Sequence, residues 1–249
     1  MAARPRGSYG VDAPGVPILW LGLAVASAAI AVGFLVGGAA WWSVALAGYF
    51  AVCALAYLFG AGLYWHASLR GKFAIWDRLL RDVRPGSPRS ALDLGCGRGA
   101  VAIMTALRFP EAEVTGVDLW RRADQSGNSE AAARGNARAN GVADRMRLIT
   151  ADMTALPLAD ASFELVTASL SIHNIPDREG RRTAIREAVR VLTPGGGLVL
   201  VDIRRGRDYA EELARLGLVV TGPRRLGWDG WWSGPWMGTS VVCAWKAMG

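Results

Sequence analysis

Between Asp12 and Arg70 the chain carries no Asp, Glu, Lys or Arg. A helix crosses the hydrocarbon core of a bilayer in about 20 residues, so the run from Ala13 to Leu69 holds two spans and a turn. It is too long for the apolar core of a signal peptide, roughly 7–15 residues. A buried globular hairpin is the alternative, but a charge-free run of this length is rare in soluble domains. Pro17 can open a helix at its first turn. The first span is expected from Pro17 to Val36, a break at Gly37-Gly38, and the second span from Trp42 to Tyr64. Trp20, Trp41, Trp42, Tyr64 and Trp65 then fall at the two interfaces, where Trp and Tyr are enriched. Arg4 and Arg6 precede the hairpin, and Arg70, Lys72, Arg78 and Arg81 follow it. The positive-inside bias therefore predicts a multi-pass cell-membrane protein with both termini and the C-terminal domain in the cytoplasm. The pairs Gly22/Ala26 and Gly33/Gly37 let helices approach closely, within the hairpin or in a homo-oligomer.

This hairpin, residues 17–66, divides the chain. Residues 1–16, with Arg4, Pro5, Arg6, Pro14 and several glycines, read as a flexible tail. Residues 67–84 read as an amphipathic linker helix: Phe73, Trp76, Leu79, Leu80 and Val83 recur at helical spacing against a basic face. Such a helix can lie on the bilayer or cap the domain that follows, residues 85–249. The net charge of +7 is compatible with an anionic lipid surface as partner, and equally with an arginine-rich composition that has no such role. The three cysteines, Cys53, Cys96 and Cys243, are too scattered for a disulfide framework or a metal site, so no metal is expected.

The chemistry is concentrated in Asp93-Leu94-Gly95-Cys96-Gly97-Arg98-Gly99, an apolar strand pattern that ends in a glycine-rich turn and opens a helix. The turn alone also fits a dinucleotide fingerprint. Asp93, two residues before the first glycine, decides between them: it would repel a diphosphate and attract a cation. Here the sequence resembles the class I S-adenosylmethionine-dependent methyltransferases. The resemblance covers roughly the C-terminal two thirds of the chain and continues through Arg178 to Leu192 followed by Pro194-Gly195-Gly196. It implies an α/β, Rossmann-like fold: a mostly parallel seven-stranded sheet with helices on both faces, preceded here by two transmembrane helices. It implies S-adenosylmethionine as cofactor, held by Asp93, Gly95, Cys96 and Gly97 at the turn. Asp118, at the end of the second strand, would accept hydrogen bonds from the ribose hydroxyls, with Leu119 and Trp120 beside it and Trp120 stacked on adenine. Asp152 would meet the adenine amino group, with Met153 against the ring.

The fourth strand, expected from Phe163 to Thr167, runs into Ala168 to Asp177 at the edge where open parallel sheets bind ligands. Ser169 is expected at the cofactor. The Asn/Asp-Pro-Pro-aromatic run with which the family's nucleic-acid enzymes clamp an amine is absent there, so no nucleic-acid substrate is expected. His173 has two readings: a general base toward a thiol or hydroxyl acceptor, or a structural histidine bonding to the backbone near the cofactor. Asp124, Gln125 and Asn128 fall near the ligand edge and could touch cofactor or acceptor, with Gln125 and Asn128 expected at the acceptor, unless residues 126–129 simply cap the next helix. The Gly/Pro loop bearing Trp228, Trp231, Trp232 and Trp236 can dip into the membrane, line an apolar acceptor site or pack on the hairpin. The resulting expectation is direct methyl transfer to a lipophilic small molecule: an isoprenoid acid, quinone, lipid or hydrophobic thiol. A membrane-anchored protein or RNA methyltransferase and a non-catalytic cofactor-binding scaffold are the alternatives.

Overall fold

The computed structural model describes residues 4–38 and 40–248. Two antiparallel helices, α1 (Gly15–Gly37) and α2 (Trp41–His66), form the hairpin. They are long and apolar enough to cross a membrane, and they are not a soluble core: less than a quarter of each apolar window is buried. Val25, Val36, Leu55 and Phe59 point outward, while small residues such as Ala24, Ala31, Ala47 and Ala54 fill the contact between the helices. Trp20 packs edge-on against Tyr57 and fills the space left by Gly60.

α2 does not stop at the foot of the hairpin. A single π-turn (Ala67–Gly71) carries it directly into α3 (Lys72–Leu79), so one continuous helical rod runs from Trp41 to Leu79. The backbone carbonyl of Asp229 sits where a Cβ on Gly71 would be, which makes glycine a requirement there. Of the two roles open to the linker helix, the structure has the capping one. Phe73, Ile75, Trp76, Leu79, Leu80 and Val83 are buried in the core of the following domain.

That domain runs β1 (Ser90–Leu94), α4 (Ala100–Arg108), β2 (Glu113–Asp118), α5 (Glu130–Ala139), β3 (Met146–Thr150), β4 (Phe163–Ser169), α6 (Arg178–Val191), β5 (Leu192–Ile203), α7 (Gly206–Arg215), β6 (Val219–Arg225) and β7 (Thr239–Trp245). The sheet order is β3-β2-β1-β4-β5-β7-β6, parallel except for β7, which runs antiparallel to both its neighbours. The strands are Val/Leu/Ile runs because both faces are covered. One face packs on α3 and α4 through Trp76, Val101, Ile103 and Leu165; the other on α6 and α7 through Ile185, Ala188, Tyr209 and Leu213. Chain order reverses between β1 and β4, and in open sheets of this kind that switch point is where ligands bind.

The N-terminal segment departs from expectation. Residues 1–3 of the expected tail lie outside the described residues, but residues 4–14 form a strap across the sheet domain. Asn140 and Asn136 each pair through their side-chain amides with the strap backbone, at Arg6 (2.9 and 2.7 Å) and Ser8 (3.0 and 2.9 Å). Val11 exchanges bonds with Ser126, and Ala13 N–H donates to the Asp124 carbonyl at 2.9 Å. Tyr9 is 1% exposed and meets Phe73 edge-on at 5.3 Å. The glycines and prolines of this stretch serve a fitted path, not mobility: at Gly7 and Gly10 a Cβ would strike Asn136 and Ser126.

Candidate functional site

A cavity of about 480 Å³ opens at the C-terminal ends of β1, β2 and β4. Its sheet side is formed by Asp93, Gly95, Cys96, Gly97, Asp118 and Ser169; its far wall by Asp12, Lys72, Phe73 and Trp76. Gly95 and Gly97 have φ of 67° and 52°, a conformation that side chains disfavour. A Cβ at either would also press on Ser171 or Gln125, so the turn exposes bare backbone to the cavity.

Asp93 is 2% exposed. Its carboxylate accepts from Thr167 Oγ1 at 2.8 Å and from the Ala102 N–H at 3.1 Å. The second bond satisfies one of the unpaired donors in the first turn of α4. Burial pushes its pKa up to about 7; these two bonds oppose the shift, and the charge of Asp118 adds to it. Asp118 spans the turn and the loop after β2: Oδ2 accepts from Gly97 N–H at 2.7 Å, and Oδ1 from Trp120 N–H at 2.5 Å and Asn128 Nδ2 at 3.2 Å. Asp152 and Met153 line the cavity beyond β3. Thr154, donating to Asp152 from backbone and hydroxyl at 2.8 Å, holds that carboxyl below the usual carboxylate range. Leu119 lines the cavity too, and Ser169 Oγ accepts from Trp76 Nε1 at 2.8 Å.

Several expected roles are not what the geometry shows. Trp120 does not line the cavity. Its φ of 58° turns the side chain away, and Nε1 donates to Thr150 Oγ1 at 2.7 Å. Cys96 lines the cavity, with its sulfur packed over Gly116. His173 is absent from the cavity wall: its Nδ1 is bonded to Asp202 Oδ1, and Tyr209 Oη donates to the other oxygen at 2.9 Å. Burial pulls the imidazole pKa down, but the hydrogen bond and charge of Asp202 outweigh it and leave it raised. Gln125 lines the cavity with both amide atoms engaged: Oε1 accepts from Arg98 N–H at 2.9 Å and Nε2 donates to Asp12 Oδ1 at 3.0 Å. It braces the glycine turn against the strap. Asn128 also lines the cavity, with its Nδ2 spent on Asp118 and the Arg121 carbonyl.

The tryptophan loop lies elsewhere. Trp232 is 2% exposed, donates to Thr239 Oγ1 at 2.9 Å and meets Tyr64 of α2 at 4.9 Å. Trp228 stacks on His66 at 4.1 Å, and Asp229 bonds His66 and Arg78. None of Trp231, Trp232 and Trp236 lines the main cavity; the loop is the joint between the rod and the sheet, with Trp236 left 69% exposed. Sequence reasoning gave Asp12 and Lys72 no place at the site. The available signal was their position, one just before and one just after the charge-free run.

The cavity suits a cationic adenosine derivative. It offers carboxylates at Asp93, Asp118 and Asp152, a bare-backbone turn, and apolar surface at Leu119 and Met153. Among the described residues no group of acidic, histidine and cysteine side chains is placed to hold a metal ion. Fold and cavity together resemble those of class I methyltransferase domains, and the donor set suits S-adenosylmethionine.

Comparison with known proteins agrees. Residues 92–200 match the model of the methyltransferase-domain family. The chain is 39% identical over 116 residues to the demethylmenaquinone methyltransferase of Thermus thermophilus, covering 47% of this chain and 48% of that protein. It is 34% identical over 164 residues to the ubiquinone/menaquinone biosynthesis C-methyltransferase UbiE of Dinoroseobacter shibae, covering 60% and 61%. The chain thus spans about half the length of the curated relatives it matches. Among solved structures, a geranyl diphosphate methyltransferase superposes with a TM-score of 0.55 at 20% identity, covering 70% of this chain and 78% of that one, a likeness of fold.

Proposed function

We propose that this protein is a membrane-anchored methyltransferase that modifies a lipophilic small molecule, its domain and both termini on the cytoplasmic side. One observation carries the reading. The helix that leaves the apolar hairpin becomes, without a break, the wall of the cofactor cavity at Lys72, Phe73 and Trp76. A rod that is outwardly apolar at one end and part of the cavity wall at the other supports a site held at the bilayer surface. There a membrane-dissolved acceptor is met at high effective concentration. Among the acceptor classes, the names of the relatives that methylate demethylmenaquinone and act in ubiquinone synthesis favour a prenylated quinone ring.

In this reading Asp118 holds the ribose, Asp152 and Met153 hold the adenine, and Asp93 with the Gly95–Gly97 backbone faces the charged end. S-adenosylmethionine supplies a methyl group activated on a sulfonium. The chain's own contribution is positioning and exclusion of water. Phe73, Trp76, Met104, Leu170, Ile175 and Pro176 give the cavity apolar walls, and Asp124 and Asp177 are its carboxylates nearest the loops after β2 and β4. Methyl transfer is tested with one acceptor headgroup carrying isoprenoid tails of increasing length, using protein reconstituted in vesicles. The expected result is that kcat/KM rises with tail length in vesicles. Equal rates for a tailless acceptor, or extraction of the protein from membranes by alkaline carbonate, would contradict the proposal.

A further inference from the structure

Lys72 is an unusual lysine. It is 7% exposed, it lies on the cavity wall, and among the described residues its ammonium is bonded only to Asp12, at 2.9 and 3.2 Å. A buried ammonium has three protons to place, and a single carboxylate does not use them all. Asp12, by contrast, is fully engaged. Its oxygens also accept from Ser68 Oγ at 2.8 Å and Gln125 Nε2 at 3.0 Å, and its carbonyl accepts from Tyr64 Oη at 3.0 Å. Asp12 is therefore a fixed post, and Lys72 is the member of the pair with donors to spare.

The topology says which end of a ligand would meet it. The following rests on the cofactor reading above. With ribose at Asp118 and adenine toward Leu119, Asp152 and Met153, beyond β3, the ligand's other arm must cross the ends of β1 and β4. That path passes Gly95, Asp93 and Ser169 and ends at Trp76, Phe73 and Lys72. The other lysine or arginine on the wall, Arg121, follows β2 and faces the carboxylates of Asp124 and Asp152, on the opposite side. We propose that Lys72 receives the α-carboxylate of S-adenosylmethionine, so that the continuation of the membrane hairpin, positioned by the N-terminal strap through Asp12, completes the cofactor site.

The test uses the full-length protein in detergent micelles and two ligands. S-adenosylhomocysteine and its decarboxylated analogue share the adenosine and thioether and differ in the carboxylate. Calorimetry on the wild type is expected to show a preference of about tenfold or more for the carboxylate-bearing ligand, as a buried charge-assisted hydrogen bond would give. In Lys72→Met that preference collapses to within about twofold, while the affinity for the decarboxylated analogue is unchanged. The double variant Asp12→Asn/Lys72→Met removes both charges and leaves no lone buried carboxylate, so it remains informative if the single variant fails to fold; the same collapse is expected. Retention of the preference in either folded variant would overturn the proposal and leave the cofactor reading standing. Failure of the wild type to bind either ligand would overturn the cofactor reading, and the proposal with it.

Discussion

Replacing Asp93 by asparagine (Asp93→Asn) should make the unliganded protein more stable at neutral pH while weakening its hold on the methyl donor. The substitution keeps the shape and the bonds. The new amide oxygen can accept from Ala102 N–H, and the new amide nitrogen can donate to Thr167 Oγ1, whose own proton then goes to the Leu92 carbonyl, 3.3 Å away. What it removes is a buried charge. The wild-type carboxyl titrates at 3.8 in an open chain and near 7 when folded. Between those values the folded protein keeps a proton that the unfolded chain has released, so stability falls as pH rises. Each pH unit costs about 1.4 kcal/mol, or roughly 2–3 kcal/mol from pH 5 to pH 7. The variant lacks this slope. Denaturation of both proteins in matched micelles at pH 5, 6, 7 and 8 gives the difference directly, with all other titrating groups cancelling. Binding of S-adenosylmethionine at pH 8 is expected to be weaker in the variant by about tenfold, a charge-assisted interaction being lost. Parallel pH profiles for the two proteins, or unchanged affinity for the cation, would refute the reasoning.

Asp118→Ala removes the proposed ribose acceptor and the anchor of the Gly97 N–H, and should weaken S-adenosylhomocysteine binding by about ten- to a hundredfold in calorimetry. His173→Ala is expected to leave cofactor affinity and turnover close to wild type, since the imidazole is tied to Asp202 and does not line the cavity. Its stability cost should be larger at pH 6 than at pH 9. A histidine whose folded pKa is raised contributes below its unfolded value and loses that contribution as pH climbs through the folded one; thermal denaturation across that range checks it. Trp232→Ala should destabilise the joint between α2 and the sheet by about 3–5 kcal/mol, read by denaturation, and expose Tyr64 to proteolytic or fluorescence probes.

Much of the sheet domain was legible because its signals are local. A strand that ends in Asp93 and a glycine turn, and an acid closing the next strand at Asp118, each follow from a few neighbouring residues. The hairpin was legible from the missing charges alone. What sequence could not supply was long-range pairing. The strap looks like a tail because Gly7, Gly10 and Pro14 are loop residues anywhere; partners far along the chain, such as Ser126, Asn136 and Asn140, fix its path. Trp120 was expected on the adenine, and one left-handed backbone turn sends it to Thr150 instead; His173 had two readings, and a carboxylate on β5, Asp202, holds its ring. The four tryptophans left three readings open, membrane, acceptor site or hairpin, because apolar aromatics suit each; Tyr64 and His66 of α2, with Thr239, select the hairpin for Trp232 and Trp228.

The most direct test of the account is a transfer experiment: native membranes bearing the protein, S-adenosylmethionine carrying an isotopic methyl, and mass spectrometry of the organic-soluble, protein and RNA fractions. The label is expected in an organic-soluble molecule with an isoprenoid or similarly apolar tail, and to be lost with Asp118→Ala. Label confined to protein or RNA, or no transfer to any fraction, would contradict a membrane-anchored methyltransferase of lipophilic acceptors.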